Sequence, residues 1–194
     1  MGNHAMAIAD LTEAIRLEPK RGDFHSWRAA SYLEAARVDL AIADLEAAER
    51  LGPLDVQGTY VKGKILESQG DYRQAIELYR RLTQGSPLAV PGLARLARVY
   101  VTAADDAIRD GKKALEYAEE ACAAVQYREA KPLSYLAAAH AELGDFDKAV
   151  ESQTKAIALA TDDDRKDLTE QLELYKARKP YRQTPTPRVA AKVQ

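Results

Sequence analysis

Alanine recurs at Ala7, Ala41 and Ala75, and proline at Pro19, Pro53 and Pro87, each at a spacing of 34 residues. A fixed period of that length marks a solenoid, in which each unit buries its apolar face only against its neighbours. The period therefore constrains the architecture before any other motif is read. It does not name what the chain binds.

Composition agrees with a packed helical array, since 46% apolar and 30% charged residues in a chain of 194 are enough to fill a core and cover it. A net charge of −2 gives no global field for a polyanion, and no basic run supplies a local one, so nucleic acid is not an expected partner. The single cysteine, Cys122, excludes an intramolecular disulfide and cannot alone build a thiolate metal site, which is compatible with a reducing compartment. No stretch approaches the roughly 20 apolar residues that span a bilayer, and the first residues lack the basic segment and apolar run of a secretory signal. These features point to a soluble chain, with a cytoplasmic location favoured. Gly2 precedes Ala7 by five residues, as Gly70 precedes Ala75 and Gly144 precedes Ala149. The chain is thus expected to open at a mid-repeat turn, as a fragment of a longer protein in which any targeting signal stands further upstream.

Read site by site, residues 2 to about 160 resemble the tetratricopeptide repeat, a pair of antiparallel helices A and B with small residues at their crossings. The opening half-repeat supplies Ala7, Leu11, Ala14 and Pro19 of a helix B alone. The first full repeat supplies Ala29, Tyr32, Ala36, Ala41, Leu45, Ala48 and Pro53, with Ala36 where the family carries a turn glycine. The second supplies Gly63, Leu66, Gly70, Ala75, Tyr79, Leu82 and Pro87, so that each helix B carries one apolar stripe at i, i+4 and i+7. His25 and Thr59 stand where a large apolar residue is usual.

The third repeat opens with Leu93, Leu96, Ala97 and Tyr100, but Ala114 then follows Tyr100 by 14 residues where the neighbours show 9. Five residues are therefore inserted within 101–111, and a tolerated exposed turn is the favoured account of them. Helix B of this repeat carries Ala114, Ala118 and Ala121, unusually small. The fourth supplies Leu133, Leu136, Ala137, His140, Gly144, Ala149 and Ala156, with polar Gln153 in the apolar stripe. Beyond it, Asp163 or Asp164 is the expected N-cap of a helix bearing Leu168, Leu172 and Tyr175 on one face, a cap for the open end of the array. The segments RDGKKALEYAEEAC and LELYKARKPYR resemble those of multi-repeat bacterial members of the family. The expected organisation is an all-α, right-handed solenoid over residues 1–178: a half-repeat at 2–20, full repeats at 22–55, 56–89, 90–129 and 130–162, and a capping helix at 163–178. An extended or disordered tail is expected over 179–194.

Little in the sequence suggests catalysis or a cofactor. The three histidines do not cluster by register, and metal-binding, nucleophile and phosphate-loop motifs are absent. His140 occupies a packing site, Cys122 reads as a packing thiol, and the acid pairs lack the alternating spacing of a calcium loop. The resemblance implies a non-enzymatic protein-interaction module with a concave groove lined by helix A. In this register the groove holds Tyr60, Lys64, Arg95, Arg98, Lys131 and Tyr135, along with Glu34, Glu67 and Glu142. The carboxylate clamp by which some members hold chaperone tails is not reproduced: Arg95 fills one of its slots, but Ser26, Ala30, Val61 and Pro91 occupy the other four. The four cations and two tyrosines instead suggest a different carboxylate-binding arrangement for a protein or peptide partner. Two other readings stand beside this one. One is weak self-association through the half-repeat or the alanine-rich third repeat, and the other is a regulatory portion of an enzyme whose catalytic domain lies elsewhere.

Overall fold

The computed structural model describes residues 4–86 and 88–182, and among them every regular element is helical. In chain order these are α1 (His4–Leu17), α2 (Gly22–Glu34), α3 (Val38–Leu51), α4 (Val56–Ser68), α5 (Tyr72–Leu82), α6 (Ala89–Thr102), α7 (Gly111–Ala124), α8 (Ala130–Glu142), α9 (Phe146–Leu159) and α10 (Asp162–Lys176). Consecutive helices pack against one another along the chain, and α2 also lies on α4 and α6 on α8, the pattern of an α-solenoid. Part of the expected tail, 183–194, lies outside the described residues.

The periodic alanines explain the close approach. Ala29, Ala41, Ala75, Ala97, Ala114, Ala137, Ala149 and Ala156 are all fully buried, where side chains this small permit close helix packing. Ala114, Ala118 and Ala121 are likewise spent inside the fold rather than offered on its surface.

Turns inside the repeats share one chemistry. Gly70 and Gly144 adopt φ of +80° and +82°, and the amides that follow them bond back to Leu66 and His140 carbonyls at 2.9 Å each, closing the preceding helix. The next residues, Asp71 and Asp145, then cap α5 and α9 through the amides of Gln74 and Lys148. The first repeat makes the same turn with Ala36 at φ +57° and Arg37, which provides no side-chain cap.

Polar residues in the apolar pattern prove to be fasteners. Asp44, buried on α3, accepts two hydrogen bonds from Arg28, at 2.8 and 2.7 Å, and pairs with His25 at 3.1 Å. Arg28 also donates to Thr12 of α1 at 3.0 Å, so His25 stands in an apolar site because it faces a buried carboxylate. Gln153, fully buried on α9, donates to the Leu168 carbonyl of α10 at 2.8 Å and so fastens the last helix. That helix starts two or three residues earlier than the acids suggested: Thr161 is its N-cap residue, leaving Asp162, Asp163 and Asp164 in the first turn, where they face the helix dipole favourably.

The inserted segment is exposed at 104–107 and anchored by buried residues on either side. Ala103 and Ile108 are buried in the main core. The Asp110 amide donates to the Tyr100 carbonyl at 3.0 Å, and Arg109 donates to the Ala103 carbonyl at 2.8 Å, folding the segment onto itself.

Replacing Ala36 by glycine should raise stability by about 0.5–1 kcal/mol, because the left-handed backbone costs alanine more than the added chain entropy costs glycine. Chemical denaturation followed by far-ultraviolet circular dichroism should show a higher midpoint with an unchanged slope. An unchanged or lower midpoint contradicts this account of the turn.

Candidate peptide-binding groove

In the family register the concave face is the one expected on α2, α4, α6 and α8. Although α2 meets α4 and α6 meets α8 directly, α4 and α6 are not among the closely packed pairs. The hydrophobic core divides at the same place: one cluster joins Ala29, Ala41, Leu45, Val61 and Ile65, and the main cluster begins with Ala75, Ile76 and Tyr79 on α5. Tyr60 and Leu66 of α4 pack against the main cluster, and a buried polar group joins them in tying α4 to α6.

Glu67, on the last turn of α4, is that group. Its side chain is only 5% exposed, yet it pairs with Arg95 at 3.5 Å and with Arg98 more closely still, both from α6. The Tyr79 hydroxyl of α5 donates to the same carboxylate at 2.8 Å. Three helices are therefore tied to one anionic group, through the charge-assisted hydrogen bonds that are the stronger kind. Gly63 makes the geometry accessible, since a Cβ there would stand 2.6 Å from the Tyr79 ring. The ring fills that gap and carries its hydroxyl to Glu67.

Electrostatics follow from this arrangement. Burial is the largest influence on the Arg95 charge and opposes it, but Glu67 together with Tyr60, Tyr135 and Tyr79 raises the guanidinium above its ordinary value. Burial and the nearby carboxylate both push the Tyr79 phenol up, so it acts only as a donor. Tyr135 is raised chiefly by burial, with Arg95 and Arg98 opposing.

Of the six groove residues expected from the register, five lie around Glu67 or the adjoining cleft, and Lys64 is held by Glu34. Arg95 bonds to the Tyr60 hydroxyl at 3.4 Å, while Arg98 and Tyr135 line one cleft. Lys64 is held elsewhere: it donates to Glu34 at 2.6 Å, which keeps that carboxyl below the usual range, and lies 6.0 Å from the Tyr60 ring centre. Lys131 is exposed at the mouth of the cleft it shares with Arg98 and Tyr135. That cleft, about 160 Å³, is smaller than the pockets that enclose drug-sized molecules and suits one or two side chains.

Counting cations overlooked their resident partner. Glu67 was legible as a groove residue of α4, but only the packing shows it turned inward between two arginines. A signal did exist: the second repeat has glycine where its neighbours have alanine and, at Tyr79, a tyrosine in the apolar stripe, a small and a large residue exchanged as a pair. Among the described residues, no group of three or more potential metal ligands occurs, and no helix is long and apolar enough to cross a membrane.

The fold and register now have a family. Profiles described as tetratricopeptide repeat match residues 1–56, 28–90, 60–128 and 136–163, and the chain belongs to the tetratricopeptide repeat family. It is 29% identical over 124 residues to the human protein named Superkiller complex protein 3, covering 62% of this chain but 8% of that one. It is 26% identical over 110 residues to Tetratricopeptide repeat protein 37 of Xenopus laevis, covering 57% of this chain and 7% of the relative. Two solved structures share its fold. One is the C-terminal part of a TPR repeat-containing protein from Cytophaga hutchinsonii, with TM-score 0.60 and 19% identity over 91% of this chain and 71% of that one. The other is the APC/C hetero-tetramer Cut9–Hcn1, with TM-score 0.71 and 17% identity over 90% of this chain and 33% of that one. The fold is that of a protein-interaction scaffold.

Two outcomes test this geometry. Gly63→Ala should destabilise the protein by about 1–3 kcal/mol, because the Tyr79 ring must move and lose its bond to Glu67; thermal denaturation measures it, and a neutral result contradicts the packing. Cys122 is fully buried, and burial, with Glu119 nearby, pushes its thiol up to about 11. At about pH 8 iodoacetamide should therefore label it only after unfolding, as mass spectrometry would report.

Proposed function

We propose that the concave face between α4 and α8 binds an extended protein segment carrying acidic side chains. Arg95 and Arg98, with Lys131 beside them, act as carboxylate donors, and Tyr60 and Tyr135 form the walls. The observation that carries this reading is the pre-positioned guanidinium pair: both side chains remain 23% exposed while anchored on a buried carboxylate. Anchoring lowers the entropy a partner must remove on binding, and two adjacent forks suit carboxylates. Of the groove cations, Arg95 and Arg98 share the single acid Glu67, Lys64 is taken by Glu34, and Lys131 stands exposed beside Arg98.

The relatives support an assembly role, since the human one is named as a protein of the Superkiller complex and Cut9–Hcn1 is a hetero-tetramer. Self-association loses one of its two supposed surfaces, because the third-repeat alanines are internal.

An array of acidic, neutral and basic peptides tests the proposal. Acidic peptides should bind, with affinity falling as salt rises, and R95Q with R98Q should reduce binding about tenfold or more. Glutamine is the better replacement, because glutamate would place further acids against Glu67. Unchanged capture by the double variant would overturn the proposal.

A further inference from the structure

After α10 the chain stays on the solenoid. Arg178 adopts φ +55°, its amide bonds to the Tyr175 carbonyl and the Lys179 amide to the Leu174 carbonyl, both at 2.9 Å, which closes the helix with a left-handed turn. Pro180 cannot continue the helix, and the Arg178 guanidinium lies 5.4 Å from the Phe146 ring centre. Tyr181 is thereby brought to the main core, where it lines the cleft with Arg98, Lys131, Tyr135 and Gln171. Arg182 pairs with Glu142, the last residue of α8, whose other carboxylate oxygen faces Arg109 of the inserted segment at 3.8 Å.

Glu142 corresponds in register to Glu34, which Lys64 of the next A-type helix holds at 2.6 Å. At the α8 end, a residue from the tail takes the place that the next repeat's lysine takes on Glu34. The cleft carries both signs, with Arg98 and Lys131 lining it from α6 and α8 and Asp164 and Asp167 from α10, whereas the end of α8 presents the acid Glu142.

We propose that Pro180–Arg182 is an internal ligand of the concave face, and that this end selects an extended protein segment carrying an aromatic residue followed by a cation, which enters by displacing the tail. The inference rests on the concave face being the binding surface. It explains why the cleft takes a half-buried tyrosine and why Glu142 faces a cation from each side.

The test uses the full chain carrying Y181A and R182A, titrated with the peptide acetyl-Lys-Pro-Tyr-Arg-amide and followed by amide chemical shifts. A segment held in cis through a short connection experiences an effective concentration on the order of millimolar. The free peptide should therefore bind the variant with half-saturation below about 10 mM, shifting Ala138, Ala141 and Glu142. The unaltered chain should bind it about tenfold more weakly, and E142Q added to the variant should weaken it about as much. No shifts by about 10 mM, or equal titration of both chains, overturns the proposal. If the double variant loses helical signal, R182A alone carries the same comparison. Acidic peptides in a parallel titration separate the two readings: capture of these but not of the Lys-Pro-Tyr-Arg peptide defeats only this inference, and the reverse defeats only acidic specificity.

Discussion

The Glu67 carboxylate is the interaction on which the concave face depends. A solenoid is held by contacts between neighbours, so its weakest seam limits how far it behaves as one body. Here that seam lies between α4 and α6, where the helices are not closely packed and, among the described residues, only Tyr60 and Leu66 of α4 carry the apolar core across to the main cluster. One buried carboxylate joins α4, α5 and α6 there, taking hydrogen bonds or ion pairs from Tyr79, Arg95 and Arg98. A buried anion is stable only with such partners, so the arginines are fixed in the groove as a consequence of holding the fold together. Under the proposed function, structure and recognition would share the same residues.

The other seams use different chemistry for the same purpose. Asp44, Arg28 and His25 fasten the first helices, Gln153 fastens the last, and fully buried alanines let the intervening helices cross closely. Each polar site interrupts the apolar stripe where a neighbour offers a partner. The inserted segment follows the same logic, burying Ile108 while Arg109 reaches toward Glu142.

The fold was legible because the small residues that allow helices to cross recur with the repeat, and their spacing is a property of sequence alone. Gly70 with Asp71, and Gly144 with Asp145, likewise announce helix end and helix start through local chemistry. The groove was legible only as a set of positions. That Glu67 turns inward and Lys64 sideways to Glu34 depends on which neighbouring helix stands nearest, and no single repeat encodes that. The return of Tyr181 and Arg182 onto α8 was hidden for the same reason, since a short segment after a helix carries no period.

Site-resolved hydrogen exchange on the Glu67→Gln chain tests the central claim most directly, because it reads the opening of each block separately. If Glu67 bolts the two blocks together, amides of α2 and α3 should exchange at least about tenfold faster in the variant, while those of α7, α8 and α9 keep nearly their original rates. Equal acceleration throughout, or no change in α2 and α3, would contradict the claim that this carboxylate joins the two halves of the solenoid.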